Sequence, residues 1–294
     1  MQRQAKLPQS LDIDPGTTIG AVSLTVSDLA RSQAFYEQVL GLATIELGGG
    51  ALGFGALGGP PLVVLHGDGS AQRLDRRATG LYHLAILVPT RADLGLALAR
   101  VAAARWPLDG ASDHLVSEAL YLSDPDGNGI EIYRDRPQPE WRGSGGELQM
   151  ATLPLDLDDL LATIADATEL PSEAPIDTTI GHVHLQVADL RASEAFYHGV
   201  LGFDVTVRTY PGALFVSAGG YHHHIGLNTW HSAGGSPPQP GAIGLRCVEL
   251  LVPDQAGLEQ LLGRVRAVGR TLRPADGGWL VHDPSGISVV LRSL

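Results

Sequence analysis

The chain carries 11 histidines and a single cysteine, Cys247, so any metal or proton-transfer chemistry has to rest on imidazole and carboxylate, not thiolate. One cysteine also excludes an internal disulfide and a cysteine-based zinc site. The histidines are unevenly placed. His83 stands in GLYHLAILVP, His182 and His184 in IGHVHLQV, and His222, His223 and His224 run consecutively in GGYHHHIGLNTW. Strand alternation places Ile180, His182, His184 and Gln186 on one side, with Gly181, Val183, Leu185 and Val187 on the other. Glu131, in DPDGNGIEIY, has parity opposite to Ile130 and Ile132 and so leaves the apolar face. A lone strand histidine is usually a half-buried side chain. These residues gain meaning only if the elements carrying them repeat.

They do repeat. Ile19–Leu42 and Ile180–Phe203 align without a gap in the frame IGxVxLxVxDLxxSxAFYxxVLG. Gly80–Pro89 and Gly244–Pro253 form a second pair, each followed by a helical pattern and closed by a strand after an Asp-Pro turn, DPDGNGIEIY and DPSGISVVL. The chain therefore reads as four units of strand, helix, then several strands. In the third unit Asp189 is the expected N-cap, Ala195, Phe196, Val200 and Leu201 the buried stripe, and Gly202 the left-handed stop. Residues 1–16 read as a tail, 17–136 as a first domain, 137–177 as a linker with a short helix near Asp156–Ala167, and 178–294 as a second domain. Asp156, Asp158 and Asp159 suit the solvated start of that helix better than a metal cluster.

Composition narrows the partners. The 294 residues hold 32 Asp+Glu against 20 Lys+Arg, a formal charge of −12. That balance argues against nucleic acid or an anionic membrane as the main partner. Met1–Pro15 lacks an apolar core of signal-peptide length, and Leu47–Leu65 is too rich in glycine and proline for a membrane helix. The expectation is a cytoplasmic protein, with a homo-oligomer compatible with the sequence.

The four units, the FYxxVLG helix and the DPDGNGIE strand resemble the vicinal oxygen chelate superfamily, which includes glyoxalase I, extradiol dioxygenases and antibiotic-resistance proteins. The length and the GGYHHHIGLNTW segment are most similar to the bacterial catechol-2,3-dioxygenase-like group. The resemblance implies an α+β fold of four βαβββ modules curled into two half-open barrels, with a divalent metal on a concave face. It places ligands on the first and last strands of a module. Module 1 has Ala21 at the first-strand position and only His66 beyond its last strand. Module 2 has His83 and Glu131. Module 3 has His182, with Gly226 at the carboxylate position. Module 4 has Cys247 and Val290.

The retained set is His83, His182 and Glu131. Two imidazoles and one carboxylate suit Fe(II), with Mn(II) as the alternative, and leave three positions of an octahedral ion open for a small aromatic diol and O₂. Extradiol relatives build their site from modules 3 and 4. Here the ligands lie on modules 2 and 3, so the expected pairing is 2 with 3 around the metal and 1 with 4 as an empty companion, ahead of the ordinary pairing of 1 with 2 and 3 with 4, which would split His83 and Glu131 from His182. Register from Gly226 matches His223 to the family's acid–base histidine, whereas strand parity favours His224. Tyr121 matches a substrate-bonding tyrosine. His114 and His184 fall near the pocket, and His222 is a further candidate contact. The expected reaction is ring cleavage next to the diol. A glyoxalase-like isomerase or thiol transferase using Ni or Zn would need a fourth ligand, from His224 or His222. A binding protein without chemistry is the third reading, against which the retained ligand set counts.

Overall fold

The computed structural model describes residues 12–294 apart from Leu74, Ser144 and Thr168; most of the expected N-terminal tail lies outside the described residues. Module 1 comprises β1 (Thr18–Val26), α1 (Leu29–Gln38), β2 (Ala43–Glu46), β3 (Ala51–Gly55) and β4 (Val63–Gly67). Module 2 comprises β5 (Gly80–Leu87), α2 (Arg91–Ala103), β6 (Gly110–Asp113), β7 (Ser117–Ser123) and β8 (Gly129–Asp135). A connecting segment carries β9 (Leu153–Pro154) and α3 (Leu157–Ala162). Module 3 follows with β10 (Thr179–Gln186), α4 (Leu190–Tyr197), β11 (Asp204–Val207), β12 (Ala213–Ser217) and β13 (Ile225–Asn228). Module 4 closes the chain with β14 (Gly244–Val252), α5 (Gln255–Ala267), β15 (Arg273–Ala275), β16 (Gly278–His282) and β17 (Ser288–Ser293).

Local chemistry sets the helix limits. Asp28, Thr90, Asp156, Asp189 and Asp254 each accept a backbone N–H from the first turn of the helix they precede. Gly41 and Gly202 sit at φ 74° and 90° just past α1 and α4, a conformation only glycine adopts cheaply. The stripe of α4 differs from expectation. Ser193, Phe196 and Tyr197 are buried, whereas Ala195 is exposed.

Two sheets result. One runs β11-β12-β13-β10-β5-β8-β7-β6-β9 and joins modules 3 and 2; the other runs β15-β16-β17-β14-β1-β4-β3-β2 and joins modules 4 and 1. The seams are antiparallel, β10 on β5 and β14 on β1. Each sheet thus cuts across the two halves of the sequence, the pairing that the placement of the ligands favoured. The sheets pack through β1 against β10 and β14 against β5, and one continuous core takes side chains from all four modules. The modules of each half, though in different sheets, are tied by matching bonds. Tyr36 donates its hydroxyl to Asp124 at 3.4 Å, and Tyr197 donates to Asp283 at 3.3 Å.

The connecting segment is more than a spacer. β9 adds an edge strand to β6, and Arg91 ties α3 to β7 by pairing with both Asp159 and Glu118. No helix among the described residues is long and apolar enough to cross a membrane.

Candidate metal centre

Strand register assembles the site in two rungs. One runs Gly110, Tyr121, Glu131, Ala85, His182 across β6, β7, β8, β5 and β10. The other runs His83, His184, Gly226, Phe215 across β5, β10, β13 and β12. The β5–β10 register shifts at Gly181 and again at Tyr82. These bulges alter the simple alternation. Ile180 turns into the core while His182 faces the cavity, and Tyr82 joins His83 at the cavity wall. Glu131 takes the parity expected of it, between core residues Ile130 and Ile132.

His83, Glu131 and His182 converge, with ring centroids of the two imidazoles 5.6 Å apart. One donor atom from each lies within 4.8 Å of the others, and all three residues are buried. His83 Nε2 is 3.0 Å and His182 Nε2 3.3 Å from Glu131 Oε2. The first contact has ion-pair length but not hydrogen-bond direction, so His83 Nε2 is a buried nitrogen without a hydrogen-bond partner. A divalent cation would satisfy that nitrogen. Charge agrees. Burial pushes the Glu131 carboxyl up, but His182 and His83 outweigh it and hold the group well below the usual carboxylate range. Burial keeps His182 down and neutral despite the opposing carboxylate. An ionised carboxylate beside two imidazoles is the donor set a hard-to-borderline divalent ion needs, so the residues fit the implied metal. Among the described residues this is the one such group of three. In the companion sheet, the Arg292–Glu249 pair at 2.6 Å lies beside the abandoned Cys247 and Val290 positions.

The triad opens on a cavity of about 1190 Å³. Its wall includes His114, Tyr121, His184 and His223, together with Tyr82, Tyr210, Phe215 and Trp230. His184 is pressed against Gly226: a Cβ there would lie 2.9 Å from His184 Cγ. The corner left by the missing carboxylate is thus filled by an imidazole. Burial and the neighbouring imidazoles push His184 well down, keeping it neutral, and its Nε2 has no hydrogen-bond partner. His114 Nδ1 is 2.6 Å from the Ala151 carbonyl, so that nitrogen carries the hydrogen; Nε2 then accepts from the Tyr121 hydroxyl at 2.6 Å. Burial first, then Glu131, pushes the Tyr121 hydroxyl well up, so it stays protonated.

The triple histidine divides by position. Residues 221–224 precede β13, which begins at Ile225, so strand parity does not extend to them. His223 faces the cavity, 4.2 Å from His182 between ring centroids. His224 turns away: its Nδ1 accepts from the Ala218 N–H at 3.1 Å and lies 3.0 Å from the Ser217 hydroxyl oxygen, and burial lowers it to about 4. His222 is fully buried and bonded to Asp135, off the cavity wall. The structure differs here from the expectations of a catalytic His224 and a substrate-facing His222: neither lines the cavity or joins the His83–Glu131–His182 group. Tyr82 and Tyr210 were missed by sequence reasoning; only the bulge and a loop bring them in, and neither leaves a sequence signal.

Two sheets of paired modules, one with a buried His-His-Glu centre on its concave side, define a metal-dependent protein of the half-barrel type. The sequence model of the Glyoxalase/Bleomycin resistance protein/Dioxygenase superfamily matches residues 18–132 and 179–291, and the chain belongs to that superfamily. It is 44% identical over 276 residues to a catechol-2,3-dioxygenase of Bacillus subtilis (strain 168), covering 92% of this chain and 95% of that protein. Among solved structures it is similar to a putative dioxygenase from B. subtilis (TM-score 0.65, 15% identity, 94% of this chain and 84% of that one). It is also similar to glyoxalase I from Zea mays (TM-score 0.57, 17% identity, 94% and 92%). Both structural likenesses bear on the fold.

Proposed function

We propose that the protein is an extradiol dioxygenase that opens the ring of catechol or a substituted catechol beside its diol. The observation that carries this reading is the buried His83–Glu131–His182 set, with no fourth ligand beside it among the described residues, opening on a cavity roomy enough for an aromatic diol. The relative named catechol-2,3-dioxygenase supports it. His83, Glu131 and His182 would hold the metal, Fe(II) in the first instance and Mn(II) as the alternative. The bound ion supplies a template on which diol and O₂ meet.

The chain's own residues do the rest. His223, neutral in the cavity wall, takes a proton from a substrate hydroxyl and later returns one. Burial and the imidazoles around it push His223 well down, which keeps it neutral before substrate enters. Tyr121 donates to His114 and keeps its oxygen lone pairs free to orient the substrate hydroxyl. Tyr82, Phe215 and Trp230 pack around the buried His184 and hold its ring in place. A cytoplasmic, homo-oligomeric enzyme belongs to the same reading. Protein loaded anaerobically with Fe(II) and mixed with catechol should form a yellow ring-opened product on admitting air. Absence of that absorbance across several catechols would overturn the reading.

A further inference from the structure

We infer that Asp135 and His222 are positioning residues that lock His223 in the tautomer whose Nε2 lone pair faces the cavity. The inference rests on the role given to His223 above. His222 lies wholly inside the protein, against Tyr221 (ring centroids 4.0 Å) and Trp141 (5.0 Å). Its Nε2 is 2.8 Å from Asp135 Oδ1, and its Nδ1 is 2.8 Å from His223 Nδ1. The Tyr221 hydroxyl donates to the same Asp135 oxygen at 3.2 Å and lies 2.7 Å from the Tyr133 hydroxyl, which fixes the carboxylate.

Donor and acceptor roles follow from the carboxylate. Asp135 Oδ1 already accepts from the Tyr221 hydroxyl, so His222 gives it the Nε2 hydrogen. In a neutral ring that is the only hydrogen, which leaves His222 Nδ1 as an acceptor. Two imidazole nitrogens at 2.8 Å need one hydrogen between them, and it must come from His223 Nδ1. His223 Nε2 then carries a lone pair and has no hydrogen-bond partner among the described residues, on the side where the cavity lies. The logic is that of a base oriented by a second group and a carboxylate. The chain runs from the end of β8 to the loop before β13, so modules 2 and 3 together orient the base.

The test compares Asp135→Asn, which keeps an acceptor oxygen, with Asp135→Leu, which does not. The tautomer of His223 is read by long-range ¹⁵N–¹H NMR on protein loaded with Zn(II) as a diamagnetic ion, and turnover is read with Fe(II) and catechol. Wild type and Asp135→Asn should show His223 protonated at Nδ1; Asp135→Leu should show an Nε2–H population. In Asp135→Leu, kcat should fall by about 10- to 100-fold, part of what a positioned acid–base contributes, with KM and metal content little changed. Asp135→Asn should recover most of that loss. His222→Leu, which removes the acceptor from inside the core, should reproduce the loss if Asp135→Leu does not fold. Nε2–H on His223 in the wild type, a doubly protonated His222, or full turnover in Asp135→Leu would overturn the inference. If wild-type protein opens no catechol ring, the dioxygenase reading fails while the NMR result still decides the tautomer.

Discussion

Gly226→Ala probes why the metal centre stops at three ligands. β13 is ordinary strand at this residue, since Gly226 is not among the positive-φ glycines, so alanine meets no backbone strain. The obstacle is steric. The new Cβ would lie 2.9 Å from His184 Cγ, 3.0 Å from Cδ2 and 3.2 Å from Nδ1, against an ordinary contact of about 3.5–4.0 Å. His184 must therefore move by roughly half an ångström or more. Its ring is boxed in by His83 at 5.0 Å, Tyr82 at 5.1 Å, Trp230 at 5.3 Å and Phe215 at 5.7 Å between centroids. Overpacking of this kind costs about 1–3 kcal/mol, against which Gly→Ala in a strand returns about 0.5–1 kcal/mol. The expected net loss is about 1–2 kcal/mol, read as a fall in Tm of roughly 2–4 °C per kcal/mol. Because His184 leans on His83, a proposed metal ligand, turnover should fall too, by up to about 100-fold for a 1 Å displacement of the reacting groups. A double-mutant cycle isolates the contact. In a His184→Ala background, Gly226→Ala should be neutral or stabilising, so the two changes couple by about 2 kcal/mol. Additive effects, or a Gly226→Ala protein with unchanged Tm and turnover, would refute the view that His184 occupies the fourth corner.

Three further outcomes are expected. Glu131→Gln leaves two imidazoles and a neutral amide around the ion, so metal bound per chain, measured by elemental analysis after dialysis, should fall by at least about 10-fold; unchanged content would remove Glu131 from the ligand set. Burial raises the Asp283 carboxyl to about 6, so its contribution to stability is intact below about pH 4 and is lost as pH rises through 6. Asp283→Asn should therefore gain up to about 3 kcal/mol relative to wild type between pH 4 and 7 in urea melts, and a pH-independent difference would contradict the assignment. Tyr121→Phe removes the hydroxyl that His114 accepts, leaving a part-buried imidazole nitrogen unpaired; kcat should fall about 10-fold or more with folding retained, and equal turnover would exclude Tyr121 from substrate orientation.

Much of this protein was legible before any fold was drawn. The repeated frame around Ile19 and Ile180 established four modules, because a module that buries its helix against its own strands must keep the same apolar spacing each time it recurs. With Ala21, Cys247 and Val290 at ligand positions elsewhere, and His83, Glu131 and His182 in modules 2 and 3, the sequence favoured a meeting of those two modules over the ordinary pairing of 1 with 2 and 3 with 4, and the sheet order decided it. Glu131 obeyed simple alternation because β8 is a regular strand between two partners. Alternation failed where the backbone departs from that regularity. The bulges at Gly181 and Tyr82 turned Ile180 inward and Tyr82 to the cavity, and the irregular 221–224 segment decided among three adjacent histidines. Residue order could state that His222, His223 and His224 were chemically alike. Only the approach of Asp135, Trp141 and Ser217, brought in from segments far off in sequence or across a turn, assigned them different partners, because a hydrogen bond depends on where its donor and acceptor lie in space.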